Sequence, residues 1–201
     1  MTDWINSLMA QLGYIGIAVL MFLDNVFPPI PSEIIMPSAG FAASQGTFSL
    51  WGVICAGSIG SLLAAAVLYG VGYWAGQERI LKFVGQYGRW LRIKPEDLEK
   101  NLNDFANKGH RIVFFGRMVP AVRSLISIPA GISGMPFYKF MLYSAGGTIL
   151  WTSFLACVGF YLGENQHLMQ SVMQYVGWII LSMVALYVAY RIVKSKRSTS
   201  T

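Results

Sequence analysis

Charge is what this chain has least of. Only 12% of its 201 residues are charged, against roughly 25% in an ordinary soluble domain, whereas 55% are hydrophobic. The balance excludes a typical soluble fold and points to an integral membrane protein. Histidine and cysteine are almost as scarce. His110 and His167 are the two histidines, and Cys55 and Cys157, the two cysteines, both lie inside hydrophobic stretches, where a small apolar packing role is the default. Such a set offers neither a metal cluster nor a disulfide framework, so no metal and no cofactor is expected. The segment MTDWINSLMAQLGYIG lacks a basic n-region and a small-residue cleavage site, and is read as part of the mature chain. A formal charge of +6 does not imply nucleic acid, because the basic residues cluster between hydrophobic spans and in the tail, as membrane sidedness requires.

What the chain does have is apolar sequence. Six regions stand out, at 12 to 27, 34 to 44, 50 to 76, 111 to 135, 137 to 163 and 168 to 190. A helix crossing about 30 Å of hydrocarbon needs roughly 20 apolar residues, a length that 50 to 76, 137 to 163 and 168 to 190 supply. The others are short or interrupted. FPPIPSEIIMPSAG carries Pro28, Pro29, Pro31 and Pro37, which remove backbone donors and argue against one continuous helix. Pro120, Pro129, Gly131, Gly134 and Pro136 break the region after His110 in the same way. Both regions read as re-entrant hairpins, a structure that a bilayer tolerates only where protein or a water-filled cavity satisfies the opened backbone. The tips are expected around Pro28, Pro29, Pro31 and Gly40 in the first and Pro120 and Gly131 in the second.

Basic residues set the expected orientation. From Gln77 through Arg111 there are eight Lys/Arg against five Asp/Glu, and the tail adds Arg191, Lys194, Lys196 and Arg197, so both segments belong on the cytoplasmic side. SQGT (44 to 47) and ENQH (164 to 167) have no Lys or Arg and face outward. The first hairpin then enters from outside and the second from the cytoplasm. Within the cytoplasmic connection, KPEDLEKNLNDFANKG places Leu98, Leu102 and Phe105 at helical spacing after Pro95, predicting a short amphipathic helix with a solvated charged face.

The two halves align with each other. GSLLAAAVLYGVGYWAG (60 to 76) matches GTILWTSFLACVGFYLG (147 to 163) at Gly60/Gly147, Gly72/Gly159 and Gly76/Gly163, a constant offset of 87. Upstream, AG at 39 to 40 aligns with AG at 130 to 131, and Pro29 with Pro120. Because the first span runs inward and the second outward, the repeats are inverted, a building plan of secondary transporters. The expected fold is an all-α integral membrane protein: an inverted repeat of re-entrant hairpin plus transmembrane helix, with a further C-terminal transmembrane helix and the cytoplasmic amphipathic helix. It forms a single membrane domain, with the first repeat at 1–76, the connection at 77–110, the second repeat at 111–163, and the final helix and tail at 164–201. The pairs Gly72/Gly76 and Gly159/Gly163 form small-xxx-small faces, suited first to packing within one subunit and second to a homodimer contact.

Four charges remain in hairpin sequence: Asp24 and Glu33 in the first, Arg117 and Arg123 in the second. Burying charge in a bilayer is costly, so such residues face a partner, a cavity or a substrate. Meeting tips would let them neutralise one another across the repeat interface. A purely structural ion-pair network is one reading, but buried pairs add little stability over apolar packing, and a transport site gives them a purpose. Arginine's planar fork holds phosphate oxygens bidentately, which makes Arg117 and Arg123 candidate phosphate ligands. Asp24 and Glu33 can instead exchange a proton. Met21, Phe22, Phe27, Met36, Phe114, Phe115 and Met118 surround these positions as apolar packing, a surface that also suits an isoprenoid or acyl tail.

DNVFPPIPSE (24 to 33), PSAGF (37 to 41), FFGRMVPAVRSLISIPAGISGMPFYKF (114 to 140) and GGTILWTSFLACVGFYLG together resemble the DedA family of bacterial membrane proteins over nearly the whole chain. The resemblance implies two facing re-entrant hairpins, lipid transport across the cytoplasmic membrane and a link to proton motive force. It implies an acidic pair at Asp24 and Glu33 and an arginine pair at Arg117 and Arg123. Family members commonly carry Glu where this chain has Asp24, whose shorter side chain reaches less far. The PPIPSE form of the first hairpin looks like the subgroup that returns undecaprenyl phosphate to the inner leaflet, and other members resemble phosphatidylethanolamine translocases.

Three function classes compete. A lipid translocase would hold an anionic lipid's phosphate on the arginines while its tail stays among membrane lipids. A proton-coupled transporter of a small soluble solute could use the same four charges. An enzyme acting on lipid phosphate needs a nucleophile, base or metal, yet His110 and His167 are expected at opposite membrane faces, so enzymatic activity is not expected.

Overall fold

The computed structural model describes residues 7–9, 11–26, 32–77, 79, 105, 109–120 and 122–162, all within one compact unit, Met1–Gly163. Pro28, Pro29 and Pro31, most of the expected amphipathic helix, the expected final span and the tail lie outside the described residues. Every regular element among the described residues is helical. In chain order they are α1 (Tyr14–Val26), α2 (Ser32–Ser44), α3 (Leu50–Ala75), α4 (Ser127–Ile132) and α5 (Phe137–Leu162), with a further helical stretch at 109–116 ahead of α4.

Helices α3 and α5 are long and apolar enough to cross a membrane. On α3, Ile59, Leu63, Val67 and Val71 recur every four residues and are exposed, whereas the small residues Ala56, Gly60, Ala64 and Gly72 are buried. Large apolar side chains outside and small residues inside is the pattern of a helix that faces hydrocarbon and packs closely on its neighbours. Exposed aromatics mark both ends. Trp51 and Trp74 on α3, and Tyr138 and Tyr161 on α5, are each separated by about 35 Å along the axis at 1.5 Å per residue. That span matches about 30 Å of hydrocarbon with aromatic rings at both interfaces. Trp51/Tyr138 and Trp74/Tyr161 also share the offset of 87 between the two halves.

Glycines set the helix packing, and their contacts recur at equivalent positions of the two halves. A Cβ on Gly60 would overlap the Ala18 carbonyl of α1, and one on Gly147 the Phe114 carbonyl of the 109–116 stretch; each long helix thus lies on the first helix of its own half. On the second helices the pattern crosses over. Gly159 of α5 abuts the Pro37 backbone of α2, and Gly72 of α3 abuts the Ile128 backbone of α4. Gly40 of α2 likewise meets the Ala156 carbonyl, and Gly131 of α4 meets Tyr69 and Gly72. Gly72 and Gly159 are therefore occupied by contacts within the chain.

Three expectations need correction. Pro37 does not end a helix, because α2 runs through it. It sits five residues past the first residue of α2, where the lost N–H leaves the Glu33 carbonyl without its helical donor. Gly40 and Gly131 are not hairpin tips. Both are buried inside helices, where the missing side chain allows backbone to approach backbone. Pro120, by contrast, lies half-buried in the turn between the 109–116 stretch and α4.

A core cluster of Ala65, Tyr69, Val113, Ile126, Ala130, Met135 and Phe140 joins α3, the second broken region and α5. Tyr69 stacks on Phe140 with ring centroids 4.8 Å apart, and its hydroxyl donates to the Met135 carbonyl. Between α3 and α5, Ser58 Oγ and Thr152 Oγ1 share a hydrogen bond of 2.8 Å.

Candidate functional site

The second broken region builds the cationic part of the site. Its helical stretch ends at Gly116, and Arg117 follows while its N–H still donates to the Val113 carbonyl at 3.1 Å. Val119 then accepts from both Val122 and Arg123, at 3.0 Å each, so the chain turns on itself and places the two guanidinium groups on one short irregular segment. Both arginines are buried, Arg117 being 2% and Arg123 5% exposed.

Their surroundings differ. Arg123 Nη2 is ion-paired to Asp24 Oδ2, a contact between the second broken region and the end of α1. Asp24 is itself buried, and its bond to Arg123 ties α1 to the second broken region.

Arg117 has no carboxylate in ion-pair contact among the described residues. Its Nη2 donates to Ser127 Oγ at 2.7 Å, its Nε reaches Ser144 Oγ at 3.4 Å, and the guanidinium lies 5.7 Å from the Phe140 ring centroid. Nη1 is buried with no hydrogen-bond partner. Hydroxyls and an aromatic face orient the cation without neutralising it. Glu33, in the first turn of α2, is in the converse position, since its Oε1 is buried and unpartnered. Asn25 donates to Ser61 Oγ at 2.8 Å, while Asn25 Oδ1, Ser32 Oγ and Thr148 Oγ1 are buried without partners.

Of the four expected charges, Asp24 and Arg123 are in direct contact, whereas Glu33 and Arg117 have no ion-pair partner among the described residues. Sequence reasoning selected all four, of which the structure joins Asp24 to Arg123, and did not single out Ser127 or Ser144. The available signal was that both hydroxyls stand in apolar sequence close to the arginine motif.

Residues 30–161 match the VTT domain. The chain belongs to the VTT-domain, or DedA, family. Among its VTT-domain relatives, an "alkaline phosphatase-like protein" of Lactococcus lactis is 41% identical over 86% of this chain and 81% of its own length. "Undecaprenyl phosphate transporter A" of Bacillus subtilis is 32% identical over 94% of this chain and 91% of its own. The Staphylococcus aureus protein of the same name is 29% identical over 98% of both. No solved structure matches the chain.

Proposed function

We propose that this VTT-domain protein is a lipid transporter that moves undecaprenyl phosphate, or a closely related polyprenyl phosphate, across the bacterial cytoplasmic membrane. The observation that carries the reading is the buried guanidinium of Arg117, which has hydroxyl partners, an Nη1 without a hydrogen bond and no acid in ion-pair contact among the described residues. A buried cation without an acid is unfavourable by several kcal/mol, and a phosphate dianion or monoanion relieves that deficit. The names of the Bacillus subtilis and Staphylococcus aureus relatives supply the substrate class.

In this mechanism the phosphate first meets Arg117, where Nη1 offers an unused donor and Ser127 and Ser144 hold the guanidinium plane. It then competes with Asp24 for Arg123. The displaced carboxylate loses its counter-ion and takes up a proton, and Glu33, already unpartnered at Oε1, is the second proton carrier. Departure of the phosphate lets Asp24 close on Arg123 again and release its proton. The recurrence of the glycine contacts in the two halves supports an inverted repeat of two re-entrant hairpins, each packed on the other half's span. Rocking of one half against the other would expose the site to alternate faces. The C-terminus is cytoplasmic in this arrangement, and a homodimer is compatible with it.

Purified protein in proteoliposomes tests the proposal, with undecaprenyl phosphate and phosphatidylethanolamine followed separately. Undecaprenyl phosphate should cross faster in the wild type, and Arg117→Ala should abolish the difference. Arg123→Lys should reduce the rate through loss of the bidentate fork. Transport indifferent to both a proton gradient and Glu33→Gln would remove the coupling. Faster phosphatidylethanolamine crossing would reassign the substrate. Because one relative carries a phosphatase-like name, phosphate release from the same vesicles is measured alongside, and release dependent on Arg117 would replace transport with hydrolysis.

A further inference from the structure

A second site lies apart from these four charges. Between the 109–116 stretch and α5 runs an open groove of about 340 Å³, lined by Arg111, Phe114, Phe115, Leu142, Tyr143 and Gly146. Its wall is almost wholly apolar, and Phe115 and Leu142 are among the most exposed hydrophobic residues of their elements. None of Asp24, Glu33, Arg117 or Arg123 lines it.

The groove breaks the correspondence between the halves. Under the offset of 87, Gly146 is equivalent to Ile59, which projects from α3 as an exposed side chain. The second half has no side chain there, and a Cβ on Gly146 would stand 3.1 Å from the Phe114 ring. Without a side chain at Gly146 the Phe114 ring lies against α5 there, and the groove opens beside it. An unfilled apolar concavity forfeits dispersion contacts, and within hydrocarbon the available filler is a lipid chain. At the rim stands Arg111, an exposed cation with no acid in ion-pair contact among the described residues.

We propose that this groove binds one net-negative, phosphate-bearing membrane lipid, with a hydrocarbon chain along Phe114, Phe115, Leu142 and Gly146 and its headgroup on Arg111. Apolar wall and rim cation together match such a lipid and no soluble anion. The site is separate from the buried arginine, because Phe114 turns its ring to Gly146 and its carbonyl to Gly147, while Arg117 meets Gly147 through its Cβ.

The test measures retained lipid, and so is independent of translocation. Full-length protein is purified with dioleoyl phosphatidylglycerol and dioleoyl phosphatidylcholine in equal amounts, and the bound lipids are counted by native mass spectrometry. The wild type should retain one phosphatidylglycerol per chain in preference to phosphatidylcholine. Arg111→Gln should lower that preference about fivefold, the effect of one basic residue near anionic headgroups, with total lipid unchanged. Gly146→Ile should lose the retained lipid of both kinds. An unaltered preference in Arg111→Gln would overturn the proposal. So would a wild-type lipid count in folded Gly146→Ile. If Gly146→Ile does not fold, Arg111→Gln decides alone, since its side chain is exposed.

Discussion

The two buried arginines should respond in opposite ways to removal of their charge. Arg123 and Asp24 are 5% and 6% exposed and bonded to each other. Arg123→Gln strands the carboxylate and Asp24→Asn strands the guanidinium, and breaking a buried pair from one side costs about 3–5 kcal/mol. The double variant strands neither and should be more stable than either single one. Arg117→Met is different. It frees the Ser127 and Ser144 hydroxyls, at a cost of about 1–3 kcal/mol for each one left unsatisfied, but it also removes a cation whose burial is unfavourable by several kcal/mol. These opposing effects are similar in size, so Arg117→Met should leave stability within about 1 kcal/mol of the wild type, or raise it, while phosphate-dependent transport is lost. Equilibrium unfolding in mixed micelles reads all four variants on one scale. The reasoning fails if Arg117→Met destabilises the protein as much as Arg123→Gln. It also fails if the Asp24 and Arg123 effects add to within about 0.5 kcal/mol, the tolerance for uncoupled sites.

Three further outcomes are expected. Gly159→Leu and Gly72→Leu press a side chain into the Pro37 and Ile128 backbones and should cost at least the roughly 1–3 kcal/mol of an overpacked core. Gly70→Ala, with nothing within 4 Å, should be neutral or stabilise by up to about 1 kcal/mol, and melting temperatures in detergent compare the three. Tyr69→Phe removes the donor to the buried Met135 carbonyl and should lower stability by about 1–3 kcal/mol, as read from denaturant midpoints. Ser58→Ala breaks the hydroxyl link between α3 and α5 but leaves Thr152 Oγ1 bonded to the Thr148 carbonyl at 2.9 Å. The loss should therefore stay within about 0.6–1.7 kcal/mol, the range for hydrogen bonds between membrane helices, and would be overturned by a larger shift in the same unfolding experiment.

The long helices were legible because hydrophobic length is a one-dimensional property: regions read as 50 to 76 and 137 to 163 became Leu50–Ala75 and Phe137–Leu162. The interruption at Pro120 was legible for the same reason. Pro37 misled because a missing N–H can be absorbed near a helix start when neighbouring helices hold the backbone. Gly40 and Gly131 misled because glycine serves tight turns and close packing alike, and only three-dimensional contacts tell the two apart. Four charges set in apolar sequence could be selected from composition and position, but their pairing could not. Asp24 reaches Arg123 across 99 residues, and hydroxyls standing in apolar sequence near the motif do not say that Arg117 is the group resting on Ser127 and Ser144. The groove was hidden for another reason. It opens where the 109–116 stretch and α5 lie side by side, a pairing that a string of residues does not display.

The crossed glycine contacts carry a consequence for biosynthesis. The face of α2 that includes Pro37 and Gly40 is covered by Ala156 and Gly159 of α5, residues that leave the ribosome more than 100 positions later. At about 5–20 residues per second, the nascent first half waits roughly 6–24 s for its cover. During that interval the opened backbone at Pro37 must be sheltered by the insertion machinery or by lipid, and α4 in turn docks on a helix made long before it. Neither half can mature by itself, so splitting the chain between α3 and the 109–116 stretch should yield stable protein only when both fragments are made in the same cell.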